Sequence, residues 1–368
     1  MAGEIVLPTA TSGIAVANIP SGRTVHSRFK IPLNSETSFA CDVPKQGSLA
    51  ALIKQTALII WDEASMAKKE NIKSVELLLL FGGDFRQVLS VVPRKTQREA
   101  IATSLLQCTG NDFVQVPAHI VSYYQEGDDP INYLATTTFP ELEHATLSQD
   151  IFIERAILTP LNDVVDSINT FLINKFLGNS VAYKSFDSML DDNCAIYPTE
   201  FLNQLAPGGM TPHELVLKIN SHVILLRNID PANSLCNRTR LICKSFRRNV
   251  IVCSIATGHR QGELMFVHRV NLRPPSSAKY PIQFEQIQFL LKLSFAMTIN
   301  KSQGQTLSRV IVYLPQPCFS HGQLYVTLSR AKQSTKVTVI TPQPADHHTS
   351  EVLKNVVAYD VLQLSGII

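Results

Sequence analysis

The sequence predicts an α/β protein built on parallel sheets, with a small β-barrel inserted in its second half. Apolar strand-like runs alternate with helix-like segments over residues 4–87, which is the pattern of a parallel sheet with crossover helices. Residues 205–285 differ, because several short β-like runs stand there between turn residues, as in small barrels. The α/β pattern returns over residues 293–340, so the β-rich stretch lies inside a second α/β unit.

The elements of the first half are indicated by apolar runs that end in polar segments. Residues 58–61 are four consecutive apolar residues, which predicts a strand buried on both faces. The predicted elements are strands at residues 4–7, 58–61 and 75–81 and helices at residues 14–19, 48–56 and 67–74. Ligands of open α/β sheets bind where such strands end, so the polar segments are candidate sites.

The second half combines one long amphipathic helix with many short strands. Residues 161–177 carry apolar residues at helical spacing, directly after a strand end at residues 157–160. Short β-like runs are predicted at residues 215–219, 223–227, 239–243 and 250–253, and strands of the second α/β unit at residues 293–299, 310–314 and 336–340.

Composition bounds the class of protein and excludes several kinds of function. Of the 368 residues, 45% are hydrophobic and 17% are charged, and the net charge is only +3, so any basic surface for nucleic acid is local. The seven cysteines form no C-x-x-C pair and no zinc-ligand spacing, which favours reduced thiols. Apolar runs are far shorter than the roughly 20 residues of a membrane span, so we expect an intracellular protein without one.

Two adjacent carboxylates, Asp62 and Glu63, follow the strand at residues 58–61. Such a pair suits a Walker B site, in which one carboxylate holds Mg²⁺ and the next orients the attacking water. The alternative is an ordinary helix start, because carboxylates stabilise a helix N-terminus.

Three further polar segments are candidates for ligand contact. Residues 82–87 (GGDFRQ) join glycines, which let a backbone approach a ligand, to Gln87, which is suited to sensing a phosphate. Residues 298–306 (TINKSQGQT) offer backbone N–H groups and hydroxyls that bind anions. Arg330, on a predicted short helix, is suited to an arginine finger. The alternatives are a glycine turn, a polar helix cap and a surface arginine.

In this order and spacing, the segments resemble the PIF (petite integration frequency) family of 5′-to-3′ DNA helicases. That family is a RecD-like branch of superfamily 1, and the chain looks most similar to the helicase-like proteins of plant Helitron elements. The matching segments are motif Ia at residues 9–15, the next DNA-contact loop at 22–27, motif II at 62–64, motif III at 82–87, motif IV at 158–162, motif V at 298–306 and motif VI at 325–331.

The resemblance covers nearly the whole chain and implies two RecA-like lobes, with an SH3-like β-barrel inserted in the second. The implied domains are a first lobe at residues 1–150, a second lobe at 151–204 and 286–345, the SH3-like insertion at 205–285 and a C-terminal tail at 346–368.

The resemblance also implies an ATP-dependent helicase that uses ATP and Mg²⁺ and binds single-stranded DNA, with no stable protein partner and no membrane contact. Asp62 is then expected to hold the metal and Glu63 to activate water. Gln87 is expected to sense the γ-phosphate, and Arg330 to stabilise the transferred charge. The expected nucleotide-binding residues are Gln303 and Gly304, and the expected DNA-binding residues are Thr11, His26, Lys301, Ser302 and Thr306.

The sequence departs from the family pattern at several points. A P-loop of the form G-x-x-x-x-G-K-[ST], which the family carries before motif Ia, does not occur in these residues. The segment between Glu63 and Gly82 is short for the family. Ser90 stands where the family usually has proline, and Arg238 where the β insertion usually has a turn glycine. We therefore expect a truncated relative that does not hydrolyse ATP by itself.

Three functional interpretations remain open. The chain is an ATP-driven DNA helicase family member, a non-catalytic DNA-binding remnant of a transposon-derived helicase, or another RecA-like ATPase. The resemblance implies roles in DNA repair, recombination and telomere maintenance, and a nuclear location.

Overall fold

The computed structural model describes residues 5–17, 19–31, 41, 43–44, 46–67, 79–81, 111–125, 127–142, 151–190, 197–205, 210–230, 233–258, 260–274, 282–331, 333–343 and 352–356. Its strands are β1 Ile5–Ala10, β2 Arg23–Thr24, β3 Thr56–Asp62, β4 Leu79–Phe81, β5 Asn111–Gln115, β6 Val121–Tyr124, β7 Arg155–Thr159, β8 Ser180–Lys184, β9 Phe186–Met189, β10 Glu214–Lys218, β11 His222–Leu225, β12 Arg240–Phe246, β13 Val250–Ile255, β14 Leu264–Leu272, β15 Phe284–Phe289, β16 Leu291–Leu293, β17 Ala296–Thr298, β18 Arg309–Tyr313, β19 Val337–Pro342 and β20 Val352–Val356. Its helices are α1 Gly13–Ala17, α2 Val25–Phe29, α3 Ser48–Lys54, α4 Pro130–Thr138, α5 Ile151–Glu154, α6 Asn162–Lys175, α7 Thr199–Gln204, α8 Ile299–Ser302 and α9 Gln323–Leu328.

The first lobe is a four-stranded parallel sheet in the order β2–β1–β3–β4. Phe29, Ile59 and Trp61 lie at the centre of its core. Within β3, Ile59 and Trp61 are buried, whereas Ile60 between them is half-buried. The strand is therefore fully buried on one face only, and not on both as predicted. Ala10 of β1 pairs with Asp62 of β3, and the carboxyl ends of these strands therefore meet at one edge.

The second lobe is a five-stranded parallel sheet in the order β17–β7–β18–β19–β6. Successive strand residues face opposite sides, so Leu158 and Val312 pack into one apolar cluster and Ile157 and Ile311 into the other. The sheet is thus buried on both faces, as is typical of parallel sheets.

Helix α6 confirms the amphipathic helix predicted at residues 161–177 and covers one face of the second sheet. Its Asn169 is a polar residue inside this apolar contact. The Asn169 side chain donates to the carbonyls of Leu293 and Ala296 at 3.2 and 3.0 Å and accepts from the Ala296 N–H at 2.9 Å. These bonds fix the helix to the backbone that leads into β17.

The β-rich region is an antiparallel sheet in the order β16–β11–β12–β13–β14–β15–β9, accompanied by the strand pair β8–β10. Its core includes Val223, Leu241 and Phe289. We call residues 180–293 the β module. It extends beyond the predicted limits of residues 205–285, because β8, β9 and β16 lie outside them. The SH3-like form of the module stays a prediction.

The strand pairing also bears on the division between the lobes. Val121 of β6 pairs with Val339 of β19, so β6 belongs to the second sheet although the predicted first lobe reached residue 150. Strand β20 of the predicted C-terminal tail pairs with β5. The domain limits remain a proposal, and the pairing favours a boundary before residue 121.

Some predictions fall outside the described residues. They are the helix at residues 68–74, the segment at residues 82–87 with Gln87, and Ser90. Strand β4 confirms the end of the strand predicted at residues 75–81. No helix in the described ranges combines the length and the apolar character that crossing a membrane requires.

Candidate functional site

The backbone at the end of β3 is held by the segment that follows β1. The Thr11 N–H donates to the Asp62 carbonyl at 3.1 Å, and the Thr11 hydroxyl donates to the Glu63 carbonyl at 2.8 Å. Trp61 Nε1 donates to the same hydroxyl at 3.0 Å. Glu63 adopts a left-handed backbone, with φ 52° and ψ 35°, which turns the chain sharply after the strand. The strand end is therefore a fixed support for two carboxylates.

The Glu63 carboxylate is withdrawn from water and surrounded by groups that favour its charge. The pKa of Glu63 is raised by burial and by the neighbouring charge of Asp62, although a hydrogen bond from Ser12 and the charges of Arg238 and Arg330 act in the opposite direction. The Ser12 hydroxyl donates to Glu63 Oε2 at 2.5 Å. Asp62 beside it accepts the Glu63 N–H on Oδ1 at 2.8 Å. The second oxygen of Asp62 takes no part in that bond.

The second lobe approaches the same strand end through Gly304. This glycine has φ 79°, and a Cβ atom added to it would lie 3.4 Å from Glu63 Oε1 and 3.5 Å from Ile14 Cγ2. The left-handed backbone favours glycine at this position, whereas the two distances are those of ordinary van der Waals contact. Gly304 and Glu63 thus lie on opposite sides of a narrow cleft between the lobes.

Arg330 lies just after α9 and is 8% exposed. Its Nε donates to the Val326 carbonyl at 2.9 Å, Nη1 to the Gln305 carbonyl at 3.1 Å and Nη2 to the Ser329 hydroxyl at 2.9 Å. These bonds hold the guanidinium in one orientation, and its charge lowers the pKa of Glu63 across the cleft. The structure therefore places Asp62, Gly304 and Arg330 near Glu63 at the cleft. Gln87, which we expected to converge there with Asp62, Gly304 and Arg330, lies outside the described residues.

The predicted DNA-binding residues occupy varied environments. Lys301 on α8 is largely withdrawn from water, and burial followed by the charge of Lys292 lowers its pKa to about 8. Ser302 is fully buried and donates to the Ile299 carbonyl at 2.7 Å. Thr306 is exposed.

Three other predicted ligand-contact residues are less accessible to a ligand than residues of a surface loop would be. The Thr11 hydroxyl is engaged within the first lobe, as described above. His26 is half-buried on α2, which follows β2 at the carboxyl edge of the first sheet. Gln303, predicted to contact nucleotide, is 2% exposed.

A cavity of about 240 Å³ opens where the two lobes and the β module meet. The residues that line it are Ile14, Ser234, Arg238, Thr239, Arg240, Thr257, Gly258, Arg260, Gly304, Gln305 and Thr306. The module also touches the first lobe closely here, since a Cβ atom added to Gly13 would lie 2.5 Å from Cys236 Cβ. Sequence reasoning noted Arg238 only as a departure from a glycine position and did not place it in the site.

The side chains at the cleft can be compared with what Mg²⁺ and ATP, the ligands implied by the resemblance, require. No group of three or more metal-ligating side chains occurs in the described ranges. Mg²⁺ is often held by one carboxylate together with substrate phosphates and water, and Asp62 fits that role. Arginines and a glycine backbone at the cleft fit a phosphate chain. The residues present therefore suit a magnesium–nucleotide ligand.

Comparison with protein families matches two parts of the chain. Residues 1–116 match the model of PIF1-like helicases, and residues 200–246 match the model of the 2B domain of the DNA helicase Pif1. The "ATP-dependent DNA helicase PIF1" of Emericella nidulans is 24% identical over 91% of this chain and 54% of its own length. That of Xenopus laevis has the same identity and coverage. The chain spans about half the length of these relatives.

Solved structures share the fold. Bacteroides Pif1 bound to ssDNA is 17% identical with a TM-score of 0.59, over all of this chain and 88% of its own. Pif1 helicase from Candida albicans is 21% identical with a TM-score of 0.55, over 98% of this chain and 88% of its own. The chain is thus similar to PIF1-like helicases in two stretches that family models match, in its resemblance to curated relatives along most of its length, and in its fold.

Proposed function

We propose that the cleft between the lobes is the nucleotide site of an ATP-dependent DNA helicase. The observation that carries the proposal is the convergence of Glu63, Gly304 and Arg330 across the cleft at the ends of two parallel sheets. In open α/β sheets this edge is where ligands bind. We further propose 5′-to-3′ polarity, functions in DNA repair, recombination and telomere maintenance, a nuclear location and a Helitron-like origin.

The proposed roles follow from the environment of each side chain. Bound Mg²⁺–ATP supplies the phosphoryl group, and the metal neutralises its developing charge. Asp62 would hold the metal, since its Oδ1 accepts the Glu63 N–H and its second oxygen takes no part in that bond. Glu63 orients the attacking water, because the Ser12 hydroxyl fixes its Oε2 while the other oxygen stays directed at the cleft. Gln87, which lies outside the described residues, senses the γ-phosphate.

Arg330 stabilises the charge of the transferred group in this proposal. Its hydrogen bonds engage Nε, Nη1 and Nη2, which holds the guanidinium plane in one orientation. The side chain is oriented before any ligand binds, which lowers the cost of ordering it in the transition state. Gln303 and Gly304 complete the nucleotide contacts from the second lobe.

Single-stranded DNA is the proposed partner, and Thr11, His26, Lys301, Ser302 and Thr306 are the residues that form its proposed site. Two of the structures that share the fold, Bacteroides Pif1 bound to ssDNA and Pif1 in complex with ADP-AlF3 and ssDNA, hold such a strand. In this chain Lys301 is the charged member of the set, and Ser302 acts by supporting the α8 backbone rather than by direct contact.

A second candidate is favoured by one feature of the sequence. These 368 residues contain no G-x-x-x-x-G-K-[ST] segment, the element whose backbone and lysine cradle the β- and γ-phosphates. We propose that a polypeptide of residues 1–368 binds DNA but does not hydrolyse ATP at the rate of a helicase, as a non-catalytic remnant would.

DNA-stimulated phosphate release tests both candidates. The polypeptide of residues 1–368 is compared with the same residues joined to the P-loop segment of a PIF1-like relative before β1, and each is paired with Glu63→Gln. We expect release only from the joined form, and its loss in Glu63→Gln. Release from residues 1–368 alone that disappears in Glu63→Gln would overturn the second candidate, and release that survives Glu63→Gln would overturn the role of Glu63.

A further inference from the structure

We propose that Arg238 makes the cavity between the lobes and the β module a binding site for a phosphate group. The group belongs either to a nucleoside polyphosphate or to the backbone of a DNA strand. The inference deepens the proposed nucleotide site and rests on it only for the kind of ligand, because an arginine binds a phosphate whether or not ATP is hydrolysed.

The backbone of Arg238 is held in a conformation that side-chain-bearing residues avoid. Its φ is 74°, in the left-handed region. The Arg238 N–H donates to the Leu225 carbonyl at 2.8 Å, and the Asn237 N–H donates to Asn228 Oδ1 at 2.7 Å. The turn is thus fixed on both sides of the residue. A glycine would adopt the same turn without strain, so the arginine side chain makes this backbone conformation less stable than it would be with glycine.

The Arg238 guanidinium is charged, partly withdrawn from water, and meets no acceptor among the residues that the structure describes. Burial lowers the pKa of Arg238, and the charge of Glu63 raises it. Arg330 and Arg260 each bond to protein oxygens, but no described residue accepts a hydrogen bond from the Arg238 guanidinium or forms an ion pair with it. A desolvated cation in this state is unfavourable until an anion reaches it.

Arg240 adds a second positive charge beside the cavity. This residue is fully buried in the cavity wall, and burial lowers its pKa to about 10. Its Nη1 and Nη2 donate to the carbonyls of Ile153 and Phe152 at 2.5 and 2.9 Å, which ties the β module to α5. Its Nε finds no partner in the described part of the chain. Because this nitrogen is shielded from water, Arg240 contributes positive charge beside the cavity rather than a direct donor to a ligand.

The shape of the cavity selects phosphate over a whole nucleotide. Its volume of about 240 Å³ lies below the roughly 300 Å³ at which drug-sized pockets begin. Gly258 has φ 96° and no atom within 4 Å of an added Cβ, so its backbone is open to a ligand. Arg260 adds positive charge, partly offset by its ion pair with Glu263. A phosphate chain enters this space, and a base would remain outside it.

Calorimetric titration with inorganic triphosphate, on the polypeptide of residues 1–368, tests the inference. Arg238→Gly removes the guanidinium and suits the left-handed backbone, so the variant is expected to stay folded. Arg248→Gly, at an exposed arginine of the same module, is the matched control. We expect Arg238→Gly to weaken triphosphate binding by about tenfold or more, since hydrogen bonds to charged groups are strong, and Arg248→Gly to leave it within about twofold.

Two further titrations identify the source of the phosphate. ADP and an oligothymidylate strand are each titrated against the wild-type chain and Arg238→Gly. Loss of ADP affinity in Arg238→Gly assigns the site to the nucleotide, and loss of oligonucleotide affinity assigns it to DNA. Equal affinity of Arg238→Gly and wild type for triphosphate, ADP and DNA overturns the inference, as does the absence of measurable binding. Failure of ATP hydrolysis by the form joined to a relative's P-loop segment, with Arg238-dependent triphosphate binding intact, would instead reject only the proposed function.

Discussion

At the scale of single residues, the cleft holds ionisable groups whose charged forms are destabilised by burial. Glu63 and Arg238 are both shifted towards their neutral forms by burial, and each favours the charged form of the other. The attraction between the two charges offsets their burial only in part, because Glu63 and Arg238 do not form a direct ion pair. Sites that bind charged ligands commonly carry such unfavourable groups.

The strain at Arg238 predicts that a smaller residue stabilises the fold. We expect Arg238→Gly to raise the free energy of unfolding by about 0.5–1 kcal/mol, because a left-handed backbone costs a residue with a side chain roughly 1–2 kcal/mol while glycine loses more entropy on folding. Urea denaturation measures the change. Asn237→Gly, at a neighbour without a positive φ, should lower stability, and a loss in Arg238→Gly of the same size would contradict the account.

Lys301 predicts a pH dependence of DNA binding. Burial lowers its pKa to about 8, so the ammonium is charged below pH 8 and loses its proton as the pH rises through that value. We expect affinity for single-stranded DNA to fall by severalfold between pH 7 and pH 9. Fluorescence anisotropy measures this, and Lys301→Gln should remove the dependence while Lys184→Gln, at an exposed lysine, keeps it. The same fall in Lys301→Gln would refute the assignment.

At the scale of elements, apolar periodicity predicted most helices and strands. Helix α6 was predicted because its apolar residues recur at helical spacing, and β18 and β19 because they are short apolar runs. Strands β8 and β9 were missed, because their burial alternates without a continuous apolar run. Strand β6 lies within the residues predicted for the first lobe but pairs with β19 of the second sheet, and such a pairing cannot be read from apolar periodicity.

The attachment of α6 depends on one buried side chain. We expect Asn169→Ala to lower the free energy of unfolding by about 2–4 kcal/mol, because buried backbone groups near β17 lose their partners, at roughly 1–3 kcal/mol each. Asn174→Ala, at an exposed position of the same helix, should cost less than about 0.5 kcal/mol. Thermal or urea unfolding compares the two, and equal losses would show that the Asn169 bonds contribute little.

At the scale of the whole molecule, the site is assembled from parts distant in sequence. Strand-end polar residues predicted Asp62, Glu63 and Gly304, because the rule that ligands bind at carboxyl edges requires no tertiary information. Arg238 could not be predicted in this way, since its place at the cleft depends on how the β module lies against the first lobe.

The small net charge of +3 predicts weak, salt-dependent DNA binding, because phosphate contacts must come from local basic groups. Each phosphate neutralised releases counterions from single-stranded DNA, so log K is expected to fall with log salt with a slope of about 0.7 per contact. A titration from low to physiological salt measures the slope. Affinity that is unchanged over this range would exclude phosphate contacts as its source.

The central claim is that Arg330 and Glu63 face one phosphoryl group across the cleft. Its most direct test is DNA-stimulated phosphate release by the chain joined to a relative's P-loop segment, with Arg330→Lys compared with the exposed-residue control Arg248→Lys. Lysine keeps the charge but lacks the planar fork, so the account predicts a fall of about a thousandfold in Arg330→Lys, as for an arginine finger, and no change in the control. Equal rates in the joined wild type and Arg330→Lys would contradict it.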